Sequence, residues 1–210
     1  MATVESLARR GSERREQILD AAEAAVLEKG FAATSIEELI VAVGITKSGF
    51  FYHFRDKTAL AKALLERYLE REEALFDDLF ARADALNEDQ LHGFLVGLKM
   101  LADMLADLPE GHPGCLVASF CYQDQLFSAE VRALNAAGVL RWRERFHTRL
   151  KTIAETYPLR IEVDLEMLAD MLPAVVDGGI VVSRVLKDAS LLPRQVMLYR
   201  AFVRSVFLGC

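Results

Sequence analysis

The chain has 210 residues, of which 52% are hydrophobic and 27% are charged, and its net charge is −6 at pH 7. A chain of this length can bury a large core, and the acidic balance excludes a basic surface that covers the whole molecule. Any contact with nucleic acid must therefore come from cations that are placed locally.

No stretch has the pattern of a β-strand, and only 5 Pro and 12 Gly interrupt the chain. We therefore expect an all-α protein of about nine helices. The segment from Met1 to Arg10 has no apolar run, which indicates that there is no signal peptide and that the chain stays in the cytoplasm.

Two short helices around a glycine turn are predicted within residues 34–60. Ser35 and Glu38 have the spacing of a capping box, in which the hydroxyl accepts from the Glu38 amide and the carboxylate reaches back to the Ser35 amide. A helix should therefore begin at Ile36, and apolar residues then recur every three or four positions. Gly44 stands where a left-handed residue closes a helix.

The second helix should begin after Thr46, which is placed to cap it. Lys47, Ser48 and Gly49 occupy its first turn, and aromatic residues follow. Two short helices joined by a tight turn form a helix-turn-helix, whose second helix presents its N-terminal residues to base edges in the major groove. Gly49 favours such contact, because a glycine inside a helix costs about 1 kcal/mol relative to alanine and allows close backbone approach. A helical corner without a ligand is the alternative.

Several short motifs within residues 15–60 fall in a fixed order and spacing. They are Arg15-Glu-Gln-Ile-Leu19, Ala21-Ala22, Lys29-Gly30-Phe31, Thr34-Ser35, Gly44-Ile45-Thr46-Lys47, Tyr52-His53-Phe54 and Lys57-Thr-Ala-Leu60. In this arrangement the segment resembles the N-terminal domain of the TetR family of bacterial repressors. The remainder of the chain resembles the family in length and helical content only.

The resemblance implies DNA-binding roles for individual residues. Thr46, Lys47, Ser48 and Gly49 match the positions nearest the bases, and Lys47 is the best candidate for reading a guanine edge. Phosphate contacts are implied for Thr34, Ser35, Tyr52, His53 and Lys57, and Arg15 joins them as one of the cations at the front of the chain. Family members often have tyrosine where this chain has Phe51, alanine where it has Ile40 and threonine where it has Gly49. Phe51 lacks a phenolic donor, so the resemblance does not settle one phosphate contact, and Ile40 leaves the crossing angle of the two helices unsettled.

The resemblance also implies two domains. Residues 1–57 would form the helix-turn-helix domain, and residues 58–210 would form a helical domain for effector binding and dimerisation. A small molecule in the second domain would shift the connecting helix, here residues 60–80, and so change the separation of the two recognition helices in a dimer. Operator half-sites about 34 Å apart, or a multiple of that, require a matched separation.

Further helices are readable mainly from their ends. A long helix should begin at Thr58, with apolar residues on one stripe and charged residues on the other. Others are expected at residues 87–106, 115–126, 129–157, 164–187 and 193–208, and the clearest loop is Leu108-Pro-Glu-Gly-His-Pro-Gly114.

The last two predicted helices are apolar on more than one face. A membrane span is not expected, because the first run is too short and contains Asp177. We expect one face to pack within the subunit and the other to meet an identical partner, as in the four-helix dimer bundle that the resemblance implies. The expected interface comprises Gly178, Gly179, Val182, Val196, Tyr199, Val203 and Phe207.

An effector pocket would be lined by apolar and aromatic residues with a few polar anchors. The candidates are Phe94, Leu98, Leu101, Phe120, Cys121, Tyr122, Trp142, Phe146, Met167 and Met171, with Asp177 and Arg184 as anchors. Plain core packing is the alternative for each apolar residue, since such stripes usually only pack. A carboxylate in an apolar helix needs a partner, so Asp177 is a sharper candidate.

Three cysteines, Cys115, Cys121 and Cys210, have no C-x-x-C spacing, so neither a disulfide framework nor a zinc site is indicated. Cys115 stands at a predicted helix start, where the helix dipole can lower a thiol pKa, and this leaves a thiol-based redox or electrophile sensor at Cys115 or Cys121 as an alternative. An enzyme is not expected, because Glu144-x-x-His147 is an isolated motif and no catalytic constellation is readable. No metal or cofactor is expected.

The sequence therefore predicts a ligand-responsive repressor. Its expected partners are double-stranded operator DNA, a small-molecule effector and a second copy of the chain, with no membrane. A helical interaction protein that keeps the N-terminal segment only as a scaffold is a further alternative.

Overall fold

The computed structural model describes the backbone of residues 4–209 and the side chains of residue 9 and residues 11–209. Cys210 and the first three residues of the segment considered above for a signal peptide lie outside the described residues. Within residues 4–209 the chain forms nine α-helices and no strand, which confirms the all-α class. The helices are α1 (Val4–Lys29), α2 (Ile36–Val43), α3 (Lys47–His53), α4 (Lys57–Ala85), α5 (Gln90–Ala106), α6 (Leu116–Cys121), α7 (Ala129–Thr156), α8 (Leu165–Leu186) and α9 (Leu191–Leu208).

Most predicted boundaries lie within three residues of the observed ones, and one helix differs in kind. The predicted helix over 115–126 ends at Cys121, and a short 3-10 helix follows at Asp124–Leu126. Gln123 has φ −127 and ψ 28, outside the helical region. Its side-chain Oε1 accepts a hydrogen bond from the Ala32 amide at 3.1 Å, so a contact distant in sequence competes with continuation of the helix.

The helices divide into two compact units. Within the described residues, the first unit comprises the chain up to residue 70 together with residues 114–136, and the second comprises residues 71–113 and the chain from 137 onward. Helices α4 and α7 contribute to both units. The predicted division into a DNA-binding domain (residues 1–57) and an effector-binding domain (residues 58–210) assigns functions to segments. It stays a prediction, because the two compact units describe packing only.

An arginine on α4 joins α1 and α4 in the first unit. The Arg67 guanidinium donates to Asp20 at 2.7 Å, to Glu23 at 2.8 Å and to Glu16 at 3.1 Å. Its side chain is 13% exposed. Because it is shielded and contacts three carboxylates, this cluster contributes more than an isolated surface ion pair.

The second unit is held together largely by α9, which packs against α5 and α8. Val196, Val203 and Phe207 of α9 are at most 1% exposed. Tyr199 is equally buried, and its hydroxyl donates to the Leu168 carbonyl of α8 at 2.9 Å. Burial raises the pKa of this phenol, so the hydroxyl keeps its proton.

Within residues 4–209, none of the helices combines the length and the apolar character that a bilayer-spanning segment needs.

Candidate nucleic-acid interface

The turn between α2 and α3 is set by Gly44. This glycine has φ 66 and ψ 42, the left-handed conformation that other residues adopt only at a cost. The Gly44 amide donates to the Val41 carbonyl at 3.2 Å, and the Ile45 amide donates to the Ile40 carbonyl at 3.1 Å. These two bonds form a Schellman motif and confirm the predicted glycine turn.

The start of α2 carries the predicted capping box. Ser35 Oγ accepts from the Glu38 amide at 3.1 Å. The Lys29 ammonium, and the Ser35 amide to a smaller extent, hold the pKa of Glu38 below its ordinary value. The carboxylate therefore serves both the cap and an ion pair with Lys29, which ties the end of α1 to α2.

The start of α3 is capped by Thr46, as predicted. Its Oγ1 accepts from the Gly49 amide at 3.1 Å and lies 3.0 Å from the Ser48 hydroxyl. A Cβ on Gly49 would lie 3.3 Å from Thr46 Oγ1, with little else around it. The first turn of α3 therefore presents hydroxyls, backbone and one ammonium, with no bulky side chain at position 49.

One side of α3 is buried and the other is exposed. Phe50 is fully buried and Phe54 is 2% exposed, so these two rings fix the helix to the unit. Tyr52 is 82% exposed, and Lys47 and Ser48 are exposed as well. The residues predicted to read bases thus lie on the solvent side of a helix whose opposite side is anchored in a core.

Cations near α3 are partly neutralised by neighbouring carboxylates. Lys47 Nζ lies 3.5 Å from Glu37 Oε1 of α2, and both side chains are about 70% exposed. Arg55 pairs with Asp56 at 3.0 Å. A phosphate or a base would compete with these carboxylates, so the local charge available to DNA is smaller than the number of cations suggests.

Thr34 and Lys57, both predicted to touch phosphates, are used inside the unit. Thr34 is 2% exposed and donates to the Gly30 carbonyl at 3.0 Å. The Lys57 ammonium donates to the Phe31 carbonyl at 2.7 Å and lies 4.5 Å from the centre of the Phe31 ring. Burial lowers the pKa of Lys57. Both side chains stabilise the turn between α1 and α2 in this structure.

The remaining predicted phosphate contacts lie near the surface. Ser35 is exposed, while His53 and Arg15 are half-buried. The Arg15 guanidinium lies 5.3 Å from the centre of the Phe54 ring. Burial, and then repulsion by Arg15 and Arg14, lowers the pKa of His53, so its imidazole is neutral at pH 7 and can donate one N–H to a phosphate.

Sequence reasoning missed a contact between the turn after α1 and residues 114–136. The Phe31 ring lies 4.8 Å from Phe127 and 5.7 Å from Phe120, and Phe120 and Phe127 stack at 4.2 Å. Gln123 adds its hydrogen bond to the Ala32 amide. The available signal was Phe31 itself, an aromatic residue in a turn, where polar residues are usual.

The predicted effector-binding residues are divided between the two units. Phe120, Cys121 and Tyr122 belong to the first unit, where Phe120 is core and Tyr122 is 78% exposed. The others belong to the second unit, where five are buried and Met167 and Met171 are exposed. The buried ones are Phe94, Leu98, Leu101, Trp142 and Phe146. Effector contact stays a prediction for every member of the set.

A buried indole distinguishes Trp142 from the rest of that set. Trp142 is 6% exposed, and its Nε1 has no hydrogen-bond partner in the protein. Glu73 Oε1 is also buried without a hydrogen bond and lies 3.8 Å from Arg141 Nε, while Oε2 of the same carboxylate accepts from Arg145 at 2.5 Å. Unsatisfied buried groups of this kind cost free energy. Of the predicted anchors, Asp177 is half-buried, and Arg184 donates to the Pro113 carbonyl at 3.0 Å.

The residues predicted at the dimer interface also separate into two groups. Val196, Tyr199, Val203 and Phe207 are already buried by their own subunit, so they can add little contact with a second copy. Gly179 is buried too, and a Cβ there would lie 2.7 Å from Leu192 Cδ1, so this glycine allows α8 to approach α9. Gly178 and Val182 are exposed on α8.

The thiol alternative gains no support from the structure. Cys115 Sγ caps α6 by accepting from the Ala118 amide at 3.4 Å, and Cys121 is exposed. Among the residues whose side chains are described, no group of three or more His, Cys, Asp or Glu could hold a metal ion.

Comparison with known proteins agrees with this geometry. Residues 18–64 match the family described as bacterial regulatory proteins, tetR family. The probable HTH-type transcriptional regulator ArpR of Pseudomonas putida is 27% identical over 169 residues, which cover 79% of this chain and 78% of that protein. The HTH-type transcriptional repressor DhaR of Mycobacterium sp. (strain GP1) is 23% identical over 166 residues, or 79% and 80% of the two chains.

A solved structure extends the similarity to the helical body. The crystal structure of a TetR transcriptional regulator from Chloroflexus aurantiacus J-10-FL superposes with a TM-score of 0.77 at 25% identity, over 94% of this chain and 98% of that one. The helix-turn-helix geometry, the match of residues 18–64 and the shared helical fold together support a TetR-family transcriptional regulator.

Proposed function

We propose that the protein is a repressor that binds a palindromic or pseudopalindromic operator as a homodimer and leaves it when a small molecule binds. One observation carries the proposal: the first turn of α3 exposes Thr46, Lys47 and Ser48 while Phe50 and Phe54 anchor its opposite side. A short helix that exposes hydroxyls and an ammonium at its N-terminal end fits the recognition helix of a helix-turn-helix. The relative DhaR is itself named a repressor.

In this proposal Lys47 reads a base edge and its neighbours position the helix. Lysine and the exposed hydroxyls can donate to guanine O6 and N7 and to phosphate oxygens. Tyr52, whose phenol is exposed to solvent, contacts the DNA backbone beside α3 in this proposal. Lys57 supports the interface from within by holding the turn at Phe31.

The exposed apolar stripe of α8 supports a homodimer. Met167, Met171, Ala174, Gly178, Val181 and Val185 are all exposed and follow one another at intervals of three or four residues, so they share one face of the helix. Val185 is 74% exposed and Val181 52%. An apolar face of this length is usually covered in solution, and glycine within it allows close helix approach. This stripe replaces the buried α9 residues in our proposed interface.

The buried indole N–H of Trp142, which has no hydrogen-bond partner in the protein, supports an effector site in the second unit. An acceptor on a ligand would satisfy the buried indole N–H, and Phe146, four residues further along α7, supplies aromatic surface. The effector must prefer the form that does not fit the operator. To shift the population ratio of the operator-incompatible and operator-compatible forms from 1:99 to 99:1, the effector must bind the incompatible form more tightly by about 5.5 kcal/mol.

Selection of bound fragments from genomic DNA tests the proposal. We expect a symmetric site whose half-sites are about 34 Å apart or a multiple of that distance, and an affinity that falls steeply as salt rises. Lys47→Ala should relax base preference, whereas the control Lys151→Ala, on the exposed surface of α7, should not. Failure to enrich any sequence, or a monomer by analytical ultracentrifugation, would contradict the proposal and favour a scaffold role.

A further inference from the structure

A cavity of about 410 Å³ lies in the second unit, away from any residue used above to contact DNA. Its walls come from residues 109–112, the last turns of α8 and the start of α9. The volume lies within the range of about 300–1,000 Å³ that is usual for small-molecule sites. Trp142 does not line it, so the cavity is distinct from the effector region proposed above.

The polar lining of this cavity carries an excess of positive charge. Arg184 and Lys187 contribute two cations, and Glu110 is the one acid among the lining residues. His112 adds an imidazole, and burial lowers its pKa. Arg184 Nη1 donates to the Pro113 carbonyl at 3.0 Å, which places the guanidinium against the loop. A planar guanidinium carries five N–H donors and can therefore hold a carbonyl and a carboxylate together.

The apolar lining is a separate feature. Ile180 and Leu192 line the cavity and are 5% and 2% exposed. Ser183 lines the cavity as well, and its Oγ accepts from the Leu192 amide at 3.0 Å, which keeps the start of α9 in place. A ligand here would meet both cationic and aliphatic side chains.

The backbone of Lys187 supports a use for its side chain. Lys187 closes α8 with φ 53 and ψ 40, and it is the one non-glycine residue with positive φ in the described part of the chain. Glycine or asparagine is the usual residue at such a position, because a larger side chain there is strained. Residues in strained conformations cluster at ligand sites, where the side chain has a role that offsets the strain.

We propose that this cavity binds a small organic anion, with its carboxylate on Arg184 and Lys187 and its apolar body against Ile180 and Leu192. The site goes beyond the proposed function, since neither DNA binding nor the region around Trp142 requires it.

Calorimetric titration of the full chain with 2-naphthoate and with its neutral analogue 2-naphthamide tests the site. We expect naphthoate to bind about tenfold more tightly, because its carboxylate gains charge-assisted hydrogen bonds that the amide lacks. The titration contains no DNA, so its outcome is independent of the regulatory proposal. Absence of naphthoate binding, or equal affinity for the two compounds, would overturn the site.

A glycine variant separates binding from folding. Lys187→Gly removes the cation and also relieves the strained backbone, so we expect the melting temperature to be maintained or raised while naphthoate affinity falls about tenfold. Lys99→Gln is the matched control, because Lys99 is an exposed lysine that lines a neighbouring cavity of about 370 Å³. Undiminished binding by Lys187→Gly, or an equal loss in Lys99→Gln, would refute the assignment.

Discussion

Replacing Lys57 by methionine should lower the stability of the N-terminal unit and leave the salt dependence of DNA binding unchanged. The ammonium donates to the Phe31 carbonyl at 2.7 Å and lies over the Phe31 ring. A hydrogen bond from a charged donor contributes about 1.5–3 kcal/mol, and a cation–π contact about 0.5–1 kcal/mol. Methionine keeps most of the aliphatic stem. It has no charge, so it also avoids the desolvation cost that lowers the pKa of Lys57, and we expect a net loss of about 1–2 kcal/mol in the free energy of unfolding.

For a chain of this size a loss of that magnitude corresponds to a melting temperature about 3–6 °C lower. Calorimetry measures this shift in melting temperature. Fluorescence anisotropy with a selected DNA duplex at several salt concentrations measures the salt dependence of DNA binding. Lys47→Met is the control, since the Lys47 side chain is 68% exposed. It should leave the melting temperature unchanged and weaken DNA binding.

The opposite result would refute this reasoning. If Lys57 contacts a phosphate as the family resemblance implies, its loss removes one neutralised charge, and the slope of log affinity against log salt becomes shallower by about 0.9. An unchanged melting temperature would show that the contacts with Phe31 add no net stability, and the shallower slope would show that the ammonium binds a phosphate in the complex.

Four further predictions concern other sites. Glu37→Gln should raise DNA affinity about twofold to fivefold in anisotropy titrations, because it frees Lys47 from its ion pair with the Glu37 carboxylate. An unchanged affinity would count against Lys47 as a DNA contact. A phosphate near His53 would raise its lowered pKa, so affinity should increase as pH falls from about 8 to about 6, and His53→Gln should abolish that trend. Val185→Arg should convert the proposed homodimer to a folded monomer in sedimentation experiments, and a dimer of full affinity would exclude the α8 stripe. Trp142→Phe should change the free energy of unfolding by less than about 1 kcal/mol in urea titrations, since it removes a buried unsatisfied N–H along with packing volume, and a loss above about 3 kcal/mol would mean that the indole is satisfied.

The helix-turn-helix could be predicted from the sequence because its signals are local. The hydroxyl of Ser35, the flexibility of Gly44 and the hydroxyl of Thr46 each act on backbone groups within four residues. Such bonds form whenever the flanking helices form, so their positions followed from residue type and spacing. The structure confirmed all three.

The contacts of the same unit with residues 114–136 could not be predicted in this way. Phe31 meets Phe120 and Phe127, and Gln123 meets the Ala32 amide, across about ninety residues of chain. No periodicity encodes such a pairing, because it depends on how α1 and α6 pack. The same packing turned Lys57 inward, although its place in the motif suggested an exposed cation.

Sequence alone determined the helical class, the turn at Gly44 and the polar first turn of α3, because composition and hydrogen bonds between near neighbours decide them. It also indicated that the last two helices have two apolar faces. Only the tertiary structure decided which face is covered, since α9 buries Val196 and Val203 within the subunit and leaves Val181 and Val185 of α8 in solvent. Apolar residues look alike in a sequence, and whether a given one is core or interface depends on which neighbouring helix removes it from water.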